Sequence, residues 1–104
     1  VLKRRSKLKN TIEIDGCRID LTGHKVFEEG QEIQLKPMEY DLFLFLCRNR
    51  NLAFTRNQLL DRIWGGDYEG ETRTVDVHVA SLRKKLKAAS RIQTIPKLGY
   101  RLEV

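Results

Sequence analysis

Apolar and polar residues alternate along the first third of the chain, in short runs that predict β-strands. The four runs with this period of two cover residues 11–14, 17–20, 25–28 and 31–35. Asp15-Gly16, a dipeptide strongly favoured in two-residue hairpin loops, connects the first two runs. Because a period of two sends alternate side chains to opposite faces, we expect a four-stranded antiparallel sheet with one buried and one solvated face.

Two amphipathic helices are predicted after the sheet, where the apolar spacing lengthens to three and four residues. Lys36-Pro37 marks the start of the first helix, since proline is favoured at the first helical position, and this helix ends near residues 49–51. Thr55 and Gln58 form the signature of a capping box that opens the second helix. Residues 52–54 are a candidate short strand, and Gly65-Gly66 ends the second helix. The side chains expected to face the core are Met38, Leu42, Phe43, Leu46, Cys47, Leu59, Leu60, Ile63 and Trp64.

A third helix is predicted over about residues 72–87, with Thr72 as its N-cap, and its two faces differ in charge. At about 100° per residue, one face is a narrow apolar stripe made of Val75, Val79, Leu82 and Leu86. The opposite surface carries Arg73, Arg83, Lys84, Lys85 and Lys87 against the single acid Asp76. A solvated helix more often alternates opposite charges at i and i+4, so this face favours contact with an external anion. Val77 in the middle of the basic face is the exception to the pattern.

Two final strands, residues 91–95 and 100–104, are predicted around a turn at residues 96–99. A sheet, three helices of which the last is basic, and a terminal hairpin predict an α+β fold of the winged helix-turn-helix type, with the hairpin as the wing. The connection at residues 65–71 is longer than the turn of the compact motif requires. We expect residues 11–104 to form this domain and the basic residues 1–10 to form a linker or the end of a preceding unit.

The composition supports an anionic partner. The 104 residues carry a formal net charge of +6 and a sequence pI of about 9.6. These values are typical of nucleic-acid-binding domains, although membrane-surface and heparin-binding proteins share them. No apolar run is long enough to span a bilayer, and the basic amino-terminal residues lack the hydrophobic region of a signal peptide.

The candidate chemistry argues against an enzyme or a metal protein. The chain has no CxxC, His24 and His78 lie far apart, and neither a nucleophile elbow nor a glycine-rich phosphate loop occurs. We therefore expect no catalytic residues, no metal and no cofactor. Cys17 and Cys47 each lie inside an apolar pattern, which indicates small buried side chains in a reducing compartment and hence a cytoplasmic protein.

Four segments carry a resemblance to a known family: LKPMEYDLFLFL, TRNQLLDRIWG, RTVDVHVASLRKKL and IQTIPKLGYRLEV. In this order and spacing they resemble the C-terminal DNA-binding domain of OmpR/PhoB-type response regulators, over essentially all of residues 11–104. Residues 1–7 resemble the last helix of a preceding receiver domain running into its linker. The resemblance implies a fragment of a two-component transcription factor that a sensor kinase phosphorylates on a receiver domain.

The resemblance also implies a set of DNA contacts, with the third helix, about residues 72–87, as the recognition helix in the major groove and the wing, residues 91–104, on the adjacent backbone or minor groove. Val77 resembles an apolar contact to thymine, whose methyl group lies in the major groove. The expected contacts to the phosphate backbone are Arg56, Trp64, Arg73, Thr74, His78, Arg83, Thr94 and Tyr100. Three of these have a structural alternative, since Trp64 and Tyr100 are also typical core residues and His78 borders the apolar stripe.

Departures from the family bear on specificity. Ala80 and Ser81 stand where some relatives carry arginines that reach base edges, so hydrogen bonds to bases are fewer or come from Ser81 and Lys84. At the wing tip, Pro96 replaces an arginine that enters the minor groove in some relatives, and Lys97 beside it is the candidate substitute. Lys36 stands in place of the usual hydroxyl N-cap of the first helix, which removes a small stabilisation.

The partners implied are double-stranded DNA with direct-repeat half-sites and RNA polymerase. We expect a monomer in isolation that pairs head-to-tail on DNA. The acidic connection after the second helix, with Asp67, Tyr68 and Glu69, resembles the loop that faces the sigma factor or the α subunit of the polymerase, and its alternative is a flexible connector. The competing function is a winged helix that binds another protein or structured RNA. Sequence-preferring binding to duplex DNA separates these hypotheses.

Overall fold

The computed structural model describes residues 11–66 and 70–104, and the predictions for residues 1–10 and for Asp67, Tyr68 and Glu69 lie outside these ranges. The amino-terminal part is the predicted antiparallel sheet, in the order β1-β2-β3-β4. Its strands are β1 (Thr11–Ile14), β2 (Cys17–Asp20), β3 (Lys25–Glu28) and β4 (Gln31–Ile33). Asp15 and Gly16 both have positive φ, as the predicted two-residue turn requires. The last strand ends at Ile33, two residues earlier than expected.

Three helices follow, as predicted: α1 (Pro37–Arg48), α2 (Arg56–Trp64) and α3 (Arg73–Lys85). The capping box of α2 is confirmed, because Thr55 Oγ1 accepts a hydrogen bond from the Gln58 amide at 3.0 Å and Gln58 Oε1 accepts from the Thr55 amide at 2.8 Å. At α1, the Lys36 amide donates to Glu39 Oε1 at 2.9 Å. A capping box has two hydrogen bonds, and this one runs from the N-cap amide to the glutamate side chain. It does not need a hydroxyl side chain at the N-cap position that Lys36 occupies.

The third helix is shorter than predicted. Thr72 occupies the predicted N-cap position, but it has helical backbone angles and its side chain makes no capping hydrogen bond. Leu86 is already extended, and the chain continues into a one-turn 3₁₀ helix, Ala88–Arg91, that the apolar pattern did not predict. The Glu28 carboxylate accepts from the amides of Lys87 and Ala88 at 2.9 and 2.8 Å. A side chain of β3 therefore caps this 3₁₀ helix.

The wing is a three-stranded sheet rather than an isolated hairpin. Its strands are β5 (Ala53–Thr55), β6 (Ile92–Ile95) and β7 (Gly99–Leu102), and β7 lies between the other two. The short strand predicted before α2 thus pairs with the last strand of the chain. Where β5 pairs with β7, a Cβ on Gly99 would overlap the carbonyl oxygen of Phe54, so glycine is required there.

The core forms where the buried sheet face and the apolar stripes of the three helices meet. Val75, Val79, Leu82 and Leu86 are all buried, which confirms the predicted stripe of α3. Cys17 and Cys47 are free and buried, and burial raises the pKa of each thiol to about 12. Within the described ranges no helix is both long and apolar enough to cross a membrane. The same ranges contain no cluster of His, Cys, Asp or Glu that could hold a metal ion.

Candidate nucleic-acid interface

The solvent-facing side of α3 matches the predicted basic face in part, since Lys85 is half-buried against Glu39 and Lys87 follows the helix and pairs with Glu29. Arg73, Val77, Ala80 and Lys84 are all exposed, and Val77 keeps 58% of its surface accessible. Among the described residues, neither Arg73 nor Lys84 has a hydrogen bond or an ion pair. Their charges are therefore available to an external anion.

Asp76, the one acid of α3, joins three elements. Tyr100 on β7 donates its hydroxyl hydrogen to Asp76 Oδ1 at 2.5 Å, and Arg56 at the start of α2 donates Nε–H to the same oxygen at 2.7 Å. Burial alone raises the pKa of Asp76, but the hydrogen bonds from Tyr100 and Arg56 and the nearby positive charges outweigh it and lower the pKa. The carboxylate is thus held ionised between the recognition helix, α2 and the wing.

The Tyr100 ring organises two arginines. Its side chain is buried, and the guanidinium groups of Arg56 and Arg83 lie 5.3 and 5.8 Å from the ring centroid, within cation–π range. Arg83 Nη2 also donates to the Ile92 carbonyl at 2.6 Å and to Thr94 Oγ1 at 3.1 Å. Arg83 therefore links the end of α3 to strand β6 of the wing.

Trp64 and His78 pack against each other where α2 meets α3. Their ring centroids are 4.9 Å apart with planes at 80°, an edge-to-face arrangement, and both side chains are half-buried. His78 Nδ1 lies 2.8 Å from the carbonyl oxygen of Thr74, to which it donates. In the neutral ring, Nε2 is consequently the nitrogen without the proton.

A second acid, Glu39 on α1, is buried and holds the other flank of α3. Glu39 is 2% exposed and accepts hydrogen bonds from the Ser81 hydroxyl, from Lys85 Nζ at 2.7 Å and from the Lys36 amide. Burial raises the pKa of Glu39, but these donors and the charge of Lys85 outweigh it and lower the pKa to about 2. The Ser81 hydroxyl points to α1, so its predicted contact with a base would have to replace this bond.

At the wing tip, Pro96, Lys97 and Leu98 are exposed. Lys97 has a φ of 63°, in the left-handed region, and turns the chain from β6 into β7. Leu98 keeps 39% of its surface accessible, which is high for a large apolar side chain. Lys97 is thus exposed at the wing tip, and its role as a substitute for the missing arginine stays a prediction.

Most of the predicted contact residues share one side of the domain. Arg56, Arg83, Thr94 and Tyr100 are joined by direct contacts, Trp64 packs on His78, and Arg73, Val77 and Lys84 line the exposed face of α3. The sequence reasoning missed the organising acids Asp76 and Glu39. Asp76 carried a signal, since it was the one acid on a cationic helix, whereas Glu39 had none beyond its position in a capping box.

Residues 30–102 match the family described as "Transcriptional regulatory protein, C terminal". The transcriptional regulatory protein SrrA of Staphylococcus aureus is 41% identical over 101 residues, and the match covers 92% of this chain. It covers 42% of SrrA, so the chain spans about two fifths of the length of that relative.

Two solved structures illustrate the likeness in fold. The response regulator DrrB of Thermotoga maritima, described as an OmpR/PhoB homolog, has a TM-score of 0.81 at 29% identity, covering 99% of this chain and 49% of DrrB. The DNA-binding domain of Klebsiella pneumoniae RstA, solved in complex with the RstA box, has a TM-score of 0.79 at 31% identity. That match covers 89% of this chain and 96% of the RstA domain.

Proposed function

The chain belongs to the family of C-terminal domains of transcriptional regulatory proteins, and on that premise we propose that it binds duplex DNA through the exposed face of α3. The family is a regulatory domain and not an enzyme. In the proposed complex, α3 enters the major groove and the wing lies on the adjacent backbone or minor groove. Binding of this kind makes the chain the effector domain of an OmpR/PhoB-type response regulator.

The observation that carries the proposal is the free cationic face of α3 between two anchored flanks. Arg73 and Lys84 make no hydrogen bond or ion pair within the described residues, while Arg56 and Arg83 are fixed beside Tyr100 at the edge of that face. A row of cations held on a rigid helix matches the phosphates that line a DNA groove. Arg56, Arg73 and Arg83, together with Trp64, Thr74, His78, Thr94 and Tyr100, are the proposed backbone contacts.

A salt titration of DNA binding tests this function. Arg56, Arg73, Arg83 and Lys97 are the candidate cations, so the logarithm of affinity should fall against the logarithm of salt concentration with a slope of about −3 to −4. Arg73→Ala should weaken binding to all duplexes alike and make the slope shallower by about 1. Arg18→Ala, which removes an exposed cation from the solvated face of β2, is the matched control and should change neither quantity.

The competing hypotheses give different results in the same experiment. A salt-independent affinity would contradict electrostatic binding to phosphates. Binding that prefers structured RNA over every duplex, or that requires a protein partner, would favour the alternative uses of a winged helix.

We also propose that two copies pair head-to-tail on direct-repeat half-sites, while the isolated domain is a monomer. The proposal rests on family membership and on the geometry of groove binding, since two recognition helices meet the same face of the duplex when their sites lie about one helical turn apart.

The acidic segment with Asp67, Tyr68 and Glu69 is proposed to contact the sigma factor or the α subunit of RNA polymerase. Three acids and no cation lie in residues 65–71, so contact with phosphates would be unfavourable, and a tyrosine suits a protein interface. Alanine at these three positions should reduce transcription in a purified system while promoter affinity stays within about twofold. A parallel loss of affinity would contradict the assignment.

The relation of length to SrrA supports a further proposal about the whole protein. We propose that residues 1–10 connect this domain to a receiver domain that a sensor kinase phosphorylates, in a cytoplasmic protein. Phosphate transfer to a longer chain that includes the upstream residues would test it, because the domain alone should accept none.

A further inference from the structure

The exposed face of α3 has a centre line made of four residues. Arg73, Val77, Ala80 and Lys84 recur at intervals of four, three and four, so they fall within a sector roughly 60° wide. The buried residues Val75, Val79 and Leu82 point the opposite way. If α3 enters a groove, its buried face points away from the DNA. These four side chains then reach deepest into the groove.

The other polar side chains in the second half of α3 are already engaged. Ser81 and Lys85 both bond to the buried carboxylate of Glu39, and Arg83 donates to the wing at Ile92 and Thr94. Within the part of the chain that the structure describes, Lys84 is the polar side chain of this half-helix without a bond. Lys84 is thus the polar side chain of this half-helix that can turn to a ligand without giving up a bond within the described residues.

The chemistry of Lys84 and Val77 selects different bases. Lysine has donors and no acceptor, so it suits guanine, which presents the two adjacent acceptors O6 and N7 in the major groove. Adenine offers one acceptor beside a donor, which a cation disfavours. Val77 has no polar group and suits the methyl group of thymine. Ala80 lies between them and adds no hydrogen bond.

The spacing of the two side chains limits the spacing of the bases. Seven residues of α-helix rise about 10.5 Å, which is the length of roughly three base pairs at 3.4 Å each and is reached along the duplex only if the helix axis is parallel to it. We infer that Val77 and Lys84 are the residues that determine specificity, and that the half-site holds a thymine and a guanine at most about three base pairs apart. The inference rests on the proposed function and adds the identity of the bases to it.

The test compares positional base preferences of variants in the intact 104-residue chain. A preferred duplex is first selected from a random pool with the unmodified protein, and affinity is then measured for every single base-pair substitution in it. Lys84→Ala should reduce the preference at one G·C pair from about tenfold to less than twofold, and Lys84→Arg should retain it. Val77→Ala should reduce the preference at one T·A pair, at most about three base pairs from the first.

Lys87→Ala is the matched control, since it removes the same charge just after α3 from an exposed side chain that pairs with the exposed Glu29. It should leave every positional preference unchanged. If Lys84→Ala and Lys87→Ala lower affinity for all sequences equally, Lys84 is a phosphate contact and the inference is wrong. Binding without any base preference also overturns the inference but leaves the salt-dependent function intact. A chain that binds no duplex in the salt titration overturns the function itself, and the inference with it.

Discussion

Lys97 combines an unfavourable backbone conformation with a favourable position for binding. A side chain in the left-handed region costs about 1–2 kcal/mol, and Lys97 has a φ of 63° at the tip of the wing. The residue is exposed there beside Pro96. The charge of Lys97 therefore favours DNA binding, whereas its backbone angle lowers the stability of the fold.

Lys97→Gly should raise the free energy of unfolding by about 1 kcal/mol, because glycine adopts this φ without strain. The same change removes a cation and should weaken DNA binding. Lys97→Ala is the control, since it loses the charge but keeps the strain. Urea unfolding and DNA titrations of both variants separate the effects. Equal stability of the glycine and alanine variants would show that the backbone angle is not the cause.

Glu39 makes the free energy of unfolding depend on pH in the acid range. Its pKa is about 2 in the folded domain, below the ordinary value of 4.5, so the carboxylate stabilises the fold fully above about pH 4.5. That contribution is lost as the pH falls from 4.5 to 2, and its size is on the order of 3 kcal/mol. The loss should contribute to unfolding in acid.

Glu39→Gln should flatten the decline in unfolding free energy between pH 4.5 and 2, measured by urea unfolding at a series of pH values. Glu13→Gln, at an exposed carboxylate on β1, should leave the decline unchanged. An equally steep decline in the Glu39 variant would assign the acid sensitivity to other carboxylates, of which Asp76 has the lowered pKa that would qualify it.

At the scale of elements, α3 is held in place by acids on both flanks. Asp76 joins α3 to α2 and β7, and Glu39 joins it to α1. Each carboxylate accepts bonds from elements that are distant in the chain. The orientation of the recognition helix relative to the wing therefore depends on these two side chains as well as on the apolar core.

Asp76→Asn provides a test in which charge and positioning predict opposite results. Removal of an acid from the basic helix should strengthen DNA binding if only net charge matters. Because Asp76 holds Arg56 and Tyr100, we expect affinity to fall by about three- to tenfold instead. Asp61→Asn, at an exposed acid on α2, is the control and should not weaken binding.

A double-mutant cycle with Tyr100→Phe sharpens the result. If the Asp76–Tyr100 bond positions the wing, the two losses of affinity should be less than additive. Stronger binding by the Asp76 variant would contradict a positioning role.

The strands and helices were predictable because burial imposes a local period on the sequence. The alternation in residues 11–28 and the capping box at Thr55 identify elements within a few residues of their observed ends. The pairing of β5 with β7 was not predictable, since Phe54 and Tyr100 are joined by the fold alone. Likewise Glu39 finds Ser81 and Lys85 more than forty residues away, and no spacing rule connects them. In the candidate site, the exposed face of α3 was predictable from the helical period of its apolar residues. The hydrogen bonds of Ser81, Lys85 and Arg83 within the domain were seen only in the structure.

At the scale of the molecule, the proposed DNA complex contains two copies on direct repeats. Head-to-tail copies on adjacent turns of the duplex touch only if their half-sites keep the same rotational phase. The domain carries its groove-facing residues on one side, so a rotated neighbour cannot reach both the groove and the first copy.

Insertion of five base pairs between half-sites should therefore abolish cooperative binding, because it rotates the second site by about half a turn. Insertion of ten base pairs restores the phase and serves as the control for distance. Occupancy of both half-sites is measured by footprinting across a range of protein concentrations. Unchanged cooperativity with five inserted base pairs would contradict pairing on one face of the duplex.

The wing strand β7 lies between β5 and β6, with Tyr100 buried beneath the two arginines and Arg83 bonded to β6. Strand β7 is paired along both of its edges, and the Arg83 bonds join β6 to the end of α3, so the wing is held in place relative to α3. The distance between α3 and the wing is then fixed, so the duplex has to deform in order to contact both. Sequences that bend or narrow easily at the wing should therefore bind better even where no side chain touches a base, since the elastic energy of the DNA becomes part of recognition.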